Sequence, residues 1–468
     1  MPAFLIKKLN TFAANIAIPQ LTLFFLFVIF LLKPALGAAV FLILLFSLKP
    51  EFGIYSLSFF LPAINWYVNF GFLNINAPGF HWEFSLPIVD ALGIALFISY
   101  LIRIIFIKPE KIKRPVFFCF VLFLAVNLIS AFFAFNFWES IIYSLRWILF
   151  FYAIFIILPA NVIRSEKILR YALISFILSA LIISLMGIAS VFQQDLYNEF
   201  IRFKPVSIAG IYPIGDNQKQ ISEILASATM LALALLYWQP KPAGRRIIIG
   251  LFVLFNIILV GSFSRAAWLA LSAQAVFLSV YFRKIILKNL SAGLVLAALA
   301  GMFLLPAGYY MFKLQASEIG YGSNKHRQLL TDVAWQGFAL NPIIGAGAGM
   351  YKNLEEKSRR YQATYAPLME SHGLWQKIIA ETGAAGLAAF VIFLAGIILH
   401  IGKKIKAMAA AERRQMAFFI MAAASIFMFE WFDTNFYKGK LWFIVGLMIA
   451  AADIFSRPKT KYENSSNQ

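Results

Sequence analysis

Three stretches of the chain carry side chains suited to acid–base or anion chemistry. The first is Ser262-Phe263-Ser264-Arg265, which follows a run of hydrocarbon from Ile247 to Gly261 and precedes another from Ala266 to Phe282. A charge beside lipid is costly unless paired or hydrated. No acid lies near Arg265 in sequence, so it points to an anionic ligand; the plainer alternative is an arginine snorkelling at a helix end. The second stretch holds Arg327, in Lys325-His326-Arg327, followed by Trp335 and by Asn341-Pro342-Ile343-Ile344-Gly345-Ala346-Gly347-Ala348-Gly349. Gly345 and Gly347 permit tight turns and close backbone approach. No Gly-Lys-Ser/Thr follows, as a Walker loop requires, and no parallel sheet is expected around it, so by itself the string reads as a structural turn. The third is His372, in Glu370-Ser371-His372-Gly373-Leu374-Trp375-Gln376, ahead of Glu381-Thr382-Gly383-Ala384-Ala385-Gly386. A neutral imidazole is a suitable general base for a hydroxyl. Lone histidines are more often structural, and His81 and His326 take that reading. No Asp-x-Asp, His-x-x-x-His or cysteine pair is present, so no metal or other cofactor is expected.

The elements that must position these residues are membrane helices. Of 468 residues, 61% are hydrophobic and 13% charged, far from the balance of a soluble domain. Cys119 is the single cysteine, which excludes disulfides. The net charge of +20 gathers in short breaks between apolar runs, a positive-inside pattern and not a nucleic-acid surface. Runs near the ~20 residues a span needs fall at 16–32, 35–48, 52–70, 88–107, 115–135, 140–158, 171–192, 220–238, 246–261, 266–282, 290–310, 384–402, 416–432 and 440–455. The reading is an all-α polytopic membrane protein with 12–14 transmembrane helices, the third run being interrupted by Pro62. Lys108, Lys111, Lys113 and Arg114, then Lys241, Arg245 and Arg246, then Arg283, Lys284 and Lys288, then Lys403, Lys404, Lys406, Arg413 and Arg414, and finally Arg457, Lys459 and Lys461 fall on one side when the runs are threaded in order. That side is the cytoplasm, and both termini lie there. The opposite side receives a segment from about Gln193 to Lys219 and the longest polar stretch, 311–383. The organisation is a transmembrane region over 1–310, an outward loop over 311–383, C-terminal helices over 384–455 and a cytoplasmic tail over 456–468. No internal repeat supports an inverted-repeat transporter, and the polar residues crowd the outer edge and not the midplane, which weighs against transport as the alternative.

The ordered set Ser264-Arg265, then Arg327 with Trp335 and Pro342-x-x-Gly345-x-Gly347, then His372 followed by Glu381-x-Gly383-x-x-Gly386 resembles the O-antigen ligase and polymerase superfamily of membrane glycosyltransferases. The resemblance covers roughly residues 200–400. One departure is Gly373, where the family usually carries asparagine. The resemblance implies a GT-C-like enzyme of the bacterial inner membrane, with a large periplasmic loop carrying short helices. It implies metal-independent, inverting transfer at the periplasmic face, in lipopolysaccharide biosynthesis. The donor would be a glycan on undecaprenyl pyrophosphate; the acceptor would be lipid A-core, or a growing glycan if the enzyme is a polymerase. By the same carry-over Arg265 and Arg327 hold the pyrophosphate, since guanidinium binds phosphate oxygens in a fork. His372 accepts the hydroxyl proton, and Arg202 and Lys204 help attract the anionic donor. Ser264, Trp335, Gly345, Gly347 and Glu381 are supporting positions. Membrane lipids are expected partners and nucleic acid is not.

Overall fold

The computed structural model describes residues 34–77, 80–194, 201–208, 210–239, 241–288, 308–309, 312–313, 318–364, 368, 370–432 and 439–457. The chain is an all-α polytopic membrane protein; among the described residues the one sheet is a two-stranded hairpin. It divides into two compact units, Met1–Lys111 and Ile112–Gln468.

The first unit contains α1 (Pro34–Leu48), α2 (Pro50–Phe60), β1 (Tyr67–Ala77), β2 (Phe80–Pro87) and α3 (Ile88–Ile107). The apolar run at 52–70 does not continue as a span. Its helix stops at Phe60 and the chain turns through Pro62 into β1. Proline has no N–H to continue a helix, and the aromatic and β-branched residues from Tyr67 onward suit a pleated strand. The strands run antiparallel, pairing Tyr67 with Pro87 and Ala77 with Phe80. Helices α1 and α3 are tied by Ser99 Oγ, which lies 2.8 Å from the Ile43 carbonyl. Arg103 Nη1 reaches the Leu48 carbonyl at 3.3 Å and so satisfies an end group of α1.

The second unit holds α4 (Phe117–Phe133), α5 (Phe137–Val162), α6 (Glu166–Val191), α7 (Gln218–Trp238), α8 (Pro242–Gly261), α9 (Arg265–Tyr281) and α10 (Arg283–Lys288). It continues with α11 (Glu318–Leu340), α12 (Tyr351–Lys357), α13 (Arg359–Gln362), α14 (Leu374–Lys406), α15 (Ala410–Glu430) and α16 (Gly439–Phe455). Among the described residues, six helices are long and apolar enough to cross a membrane: α3, α5, α6, α7, α8 and α14. The runs expected at 35–48, 88–107, 115–135, 140–158, 171–192, 220–238, 246–261, 266–282, 384–402, 416–432 and 440–455 coincide with α1, α3 to α9 and α14 to α16. The runs at 16–32 and, apart from residues 308 and 309, at 290–310 lie outside the described residues, as does the tail beyond Arg457.

The core of this unit runs along α7 and α16, whose side chains are almost all buried. Trp442 of α16 stacks on Phe151 of α5, centroids 4.3 Å apart, and Phe120 of α4 stacks on Tyr152 at 3.8 Å. Flat aromatic pairs of this kind add to burial energy. Polar links cross the apolar interior as well. Gln274 of α9 donates to the Ala226 carbonyl of α7 at 2.7 Å and to Ser425 Oγ of α15 at 2.8 Å. Lys440 pairs with Glu223 at 3.3 Å, both buried. Within α5 the hydrogen bonding widens to the π pattern over Ser144–Leu149 and Phe151–Ile157. At another point Lys113 and Lys404 close on Asp453 at 2.8 and 3.0 Å, while Arg457 Nη1 donates to the Arg164 carbonyl at 2.8 Å. The stretch 318–361 has a core of its own, made of Leu329, Leu330, Val333, Ala334, Ala346, Tyr351, Leu354 and Tyr361 with Ala380 of α14.

Candidate functional site

The turn between α8 and α9 sets the first arginine. Ser262 Oγ lies 2.8 Å from the Leu259 carbonyl and accepts the Ser264 N–H at 3.4 Å. Between them Phe263 takes φ +50°, a conformation that a bulky side chain adopts only under constraint. Ser264 is buried and accepts the Trp268 N–H through its carbonyl at 3.0 Å. Arg265 is thereby the first residue of α9 and stands exposed. A cation at the positive end of a helix dipole gains nothing from that helix. The pair forms a positive locus suited to an anion.

Arg265 Nη1 donates to Asn324 Oδ1 of α11 at 2.8 Å. Arg327 lies three residues further along α11, and residues at that spacing share one side of a helix. His326, between them, meets His372 edge to face, ring centroids 5.8 Å apart and planes at 87°. Its Nε2 is 3.3 Å from the Tyr361 hydroxyl. Burial first, and then the neighbouring Arg327, hold the His326 imidazole below its ordinary value, because both penalise a second positive charge there. The Ser-Arg turn, the Arg327 segment and the His372 segment thus meet along the first turns of α11. His326, read from sequence as structural, is the residue that touches His372.

The glycine string has a different partner. Helix α14 breaks at Gly383, where φ is +63° and ψ −162°. The break frees carbonyls before it and N–H groups after it. Residues 342–347 satisfy both sets. Ala346 and Gly347 donate to the Ala380 and Glu381 carbonyls at 3.0 and 2.9 Å, and Ala384 and Ala385 donate to the Pro342 and Ile343 carbonyls at 2.8 and 3.0 Å. Gly345 has φ +79°, and a Cβ there would collide with the Glu381 backbone. The glycine segment therefore clasps the kink of α14.

Glu381 lies under this clasp. It is buried, its Oε1 accepts the Tyr351 N–H at 3.1 Å, and it pairs with Lys377 at 2.8 Å. Lys377 also binds Glu370 Oε2 at 2.6 Å, which ties the residues just before His372 down onto α14. Sequence reasoning passed over Lys377; its signal was the i,i+4 spacing to Glu381 at the start of an apolar helix. Trp335 is about half exposed and faces Trp375, centroids 6.2 Å apart. Arg202 and Lys204 flank Phe203, whose N–H donates to the Gly261 carbonyl at 3.0 Å. The segment is also held through Gln194, which accepts the Arg202 N–H at 3.1 Å, and through Ser190 Oγ, which accepts the Lys204 N–H at 3.1 Å. Phe203 thereby carries both residues beside the end of α8, where the α8–α9 turn begins.

Residues 249–391 match the family model described as O-antigen ligase. The match opens in α8 and closes in α14, so it spans the Arg265 turn, the Arg327 helix and the His372 segment. Over that stretch, under a third of the chain, the protein is similar to the O-antigen ligase family. No curated protein matches it.

Proposed function

We propose that this O-antigen ligase-type enzyme moves a glycan from undecaprenyl pyrophosphate to an acceptor hydroxyl, on lipid A-core or a similar glycan, at the periplasmic face of the bacterial inner membrane. The observation that carries the proposal is the meeting on α11: Arg265 bonds Asn324 while His372 stands against His326 of the same turn. Arg265 and Arg327 bind the pyrophosphate oxygens. His372 takes the proton of the acceptor hydroxyl as its oxygen attacks the anomeric carbon. The bond from that carbon to the pyrophosphate oxygen breaks, its electron pair leaves with the phosphate, and the anomeric configuration inverts. Charge develops on the leaving group, and fixed guanidiniums stabilise it without reorganisation. Arg202 and Lys204 draw the anionic head toward the turn.

The orientation rests on the basic residues. Lys113, Lys404 and Arg457 gather around Asp453 and Arg164, and short loops rich in Lys and Arg stay cytoplasmic. Residues 311–383 then form the periplasmic lobe between the membrane regions 1–310 and 384–455, with the 456–468 tail and the amino terminus in the cytoplasm. The test is glycan transfer in membranes of a ligase-deficient host, comparing wild type with His372→Ala and Arg265→Ala at equal expression. Glycan-capped lipopolysaccharide with wild type alone supports ligation. Longer glycans on the lipid carrier turn the reading to polymerisation. Wild-type and variant membranes that behave alike, with matched acceptor supplied, overturn it.

A further inference from the structure

Helix α14 starts beside His372 and ends 33 residues later in Lys403, Lys404 and Lys406, so a second group of charges stands at its far end. Lys404 Nζ lies 3.0 Å and Lys113 Nζ 2.8 Å from the Asp453 carboxylate of α16. Asn161, in the last turn of α5, fixes the Lys113 main chain from both sides. Its Oδ1 accepts the Lys113 N–H and its Nδ2 donates to the Lys113 carbonyl, each at 2.8 Å. Two ammonium groups therefore share one carboxylate. Arg457 adds a guanidinium, with Nη1 2.8 Å from the Arg164 carbonyl, and Arg114 lies over the Phe117 ring, 5.5 Å from its centroid. Arg164 and Glu166, on the link into α6, carry opposite charges, and Glu166 accepts from Trp238 Nε1 at 3.1 Å. The balance around Asp453 is positive.

The lysines are within reach from outside and the acid is not. The Lys113 and Lys404 side chains are 44% and 37% exposed, that of Asp453 only 11%, so an arriving anion meets the ammonium groups first. The flank of this charge group is apolar. Gly396 of α14 packs on α4 so closely that a Cβ there would fall 2.9 Å from the Cys119 sulfur. Within a turn of that contact Phe118 of α4 and Ile398 and Leu399 of α14 stand exposed, Phe118 by 86%. Lipid tails are as apolar as such side chains and cover them in a bilayer. Basic groups between helix ends, next to an apolar face, fit one molecule that has both an anionic head and a tail. A soluble phosphate would use only the lysines, and a zwitterionic lipid brings its own cation to compete with them.

We infer that the start of α4 and the ends of α14 and α16 form a binding site for an anionic phospholipid, its phosphate held by Lys113 and Lys404 and an acyl chain lying along Phe118, Ile398 and Leu399. Asp453 has two effects there. It keeps the lysines in place, and it competes with the phosphate for them. The site needs no transfer chemistry, so its failure leaves the glycosyl-transfer reading as it stands.

The experiment places the full chain in phosphatidylcholine nanodiscs with a trace of phosphatidylglycerol that carries a photoreactive acyl chain, and reads the labelled peptides by mass spectrometry. Labels should fall on the peptides holding Phe118 and residues 398–399. Unlabelled phosphatidylglycerol should displace them, and phosphatidylcholine should not. Labels spread evenly over the exposed helix faces would overturn the inference. Inorganic phosphate that displaces the label as well as phosphatidylglycerol does would make this a site for free anions, and the lipid assignment falls. One charge near a membrane surface changes the attraction to anionic lipid by about 5-fold. Asp453→Asn should therefore raise labelling of these peptides by about that factor. The triple variant Lys113→Gln, Lys404→Gln, Asp453→Asn leaves no stranded carboxylate and should lower labelling about 5-fold. Arg246→Gln, at the exposed start of α8, lowers the net charge by one, as the triple variant does, and should leave these labels unchanged. Equal losses in the two would mean attraction to the whole surface and refute a site here. The displacement measured on wild type decides the inference even where a variant fails to fold.

Discussion

His326 and His372 meet edge to face with their centroids 5.8 Å apart, and His326 also feels the charge of Arg327. Protonating His326 places a second cation near the guanidinium. For His326, burial and Arg327 depress the pKa. As pH falls below the ordinary imidazole value of about 6.5, the unfolded chain binds that proton before the folded chain does. Stability therefore declines on acidification, from about that pH down to the folded-state value. His326→Gln removes this contribution. Thermal midpoints at about pH 7.5 and about pH 5.5 should differ more for wild type than for His326→Gln; equal differences would count against the assignment.

Arg265 is expected to act on charge that develops during reaction. Removing one preorganised donor to such charge typically lowers turnover by roughly 10²- to 10³-fold. Arg265→Ala should show a loss of that order, and Arg265→Lys should recover part of it, because lysine keeps the charge and loses the fork. Turnover in the membrane transfer assay, at equal expression, decides this. Lysine no better than alanine would mean that charge is not what Arg265 contributes.

Lys377 stands buried between Glu370 and Glu381. Removing one partner of a buried pair leaves an uncompensated charge and costs about 3–5 kcal/mol. Lys377→Met should therefore lower the thermal midpoint sharply. Adding Glu381→Gln, which removes the stranded carboxylate, should restore part of the loss. A double variant that melts lower than Lys377→Met would contradict the pairing.

Gly345→Ala tests the clasp on α14. A non-glycine residue at φ +79° is strained by about 1–3 kcal/mol, and the added Cβ also meets the Glu381 backbone. The variant should be poorly folded or melt well below wild type. Ala346→Val, whose backbone bond does not depend on the side chain, should disturb the clasp less. The two ranked in the opposite order would refute a backbone role for the loop.

Much of this was readable in the chain itself, for physical reasons. Long apolar runs cannot be hidden from water except in a bilayer, so the helices from α3 to α9 and from α14 to α16 follow their runs closely. The run at 52–70 misled because a short apolar stretch does not distinguish helix from strand; Pro62 and the aromatic residues beyond it decided for the hairpin. Arg265, Arg327 and His372 were visible as charged or titratable groups in apolar surroundings. Their neighbours were not. His326 and Asn324 acquire meaning only from partners elsewhere in the chain, Arg265 and Asn324 being bonded across 59 positions. The glycine string shows the same limit: it read as a turn, and its counterpart, the kink at Gly383, is supplied by the fold.

The clasp between residues 342–347 and the break in α14 is made by main-chain groups on both sides. It pins the two ends of the intervening segment whatever that segment contains. Closing a longer flexible loop adds only about 0.6 kcal/mol for each doubling of its length. A change of length between Gln362 and Glu370 would therefore cost little, with the residues anchored to α11 and α14 left in register. A frame of this kind keeps its anchored residues in place while chain length changes at one point.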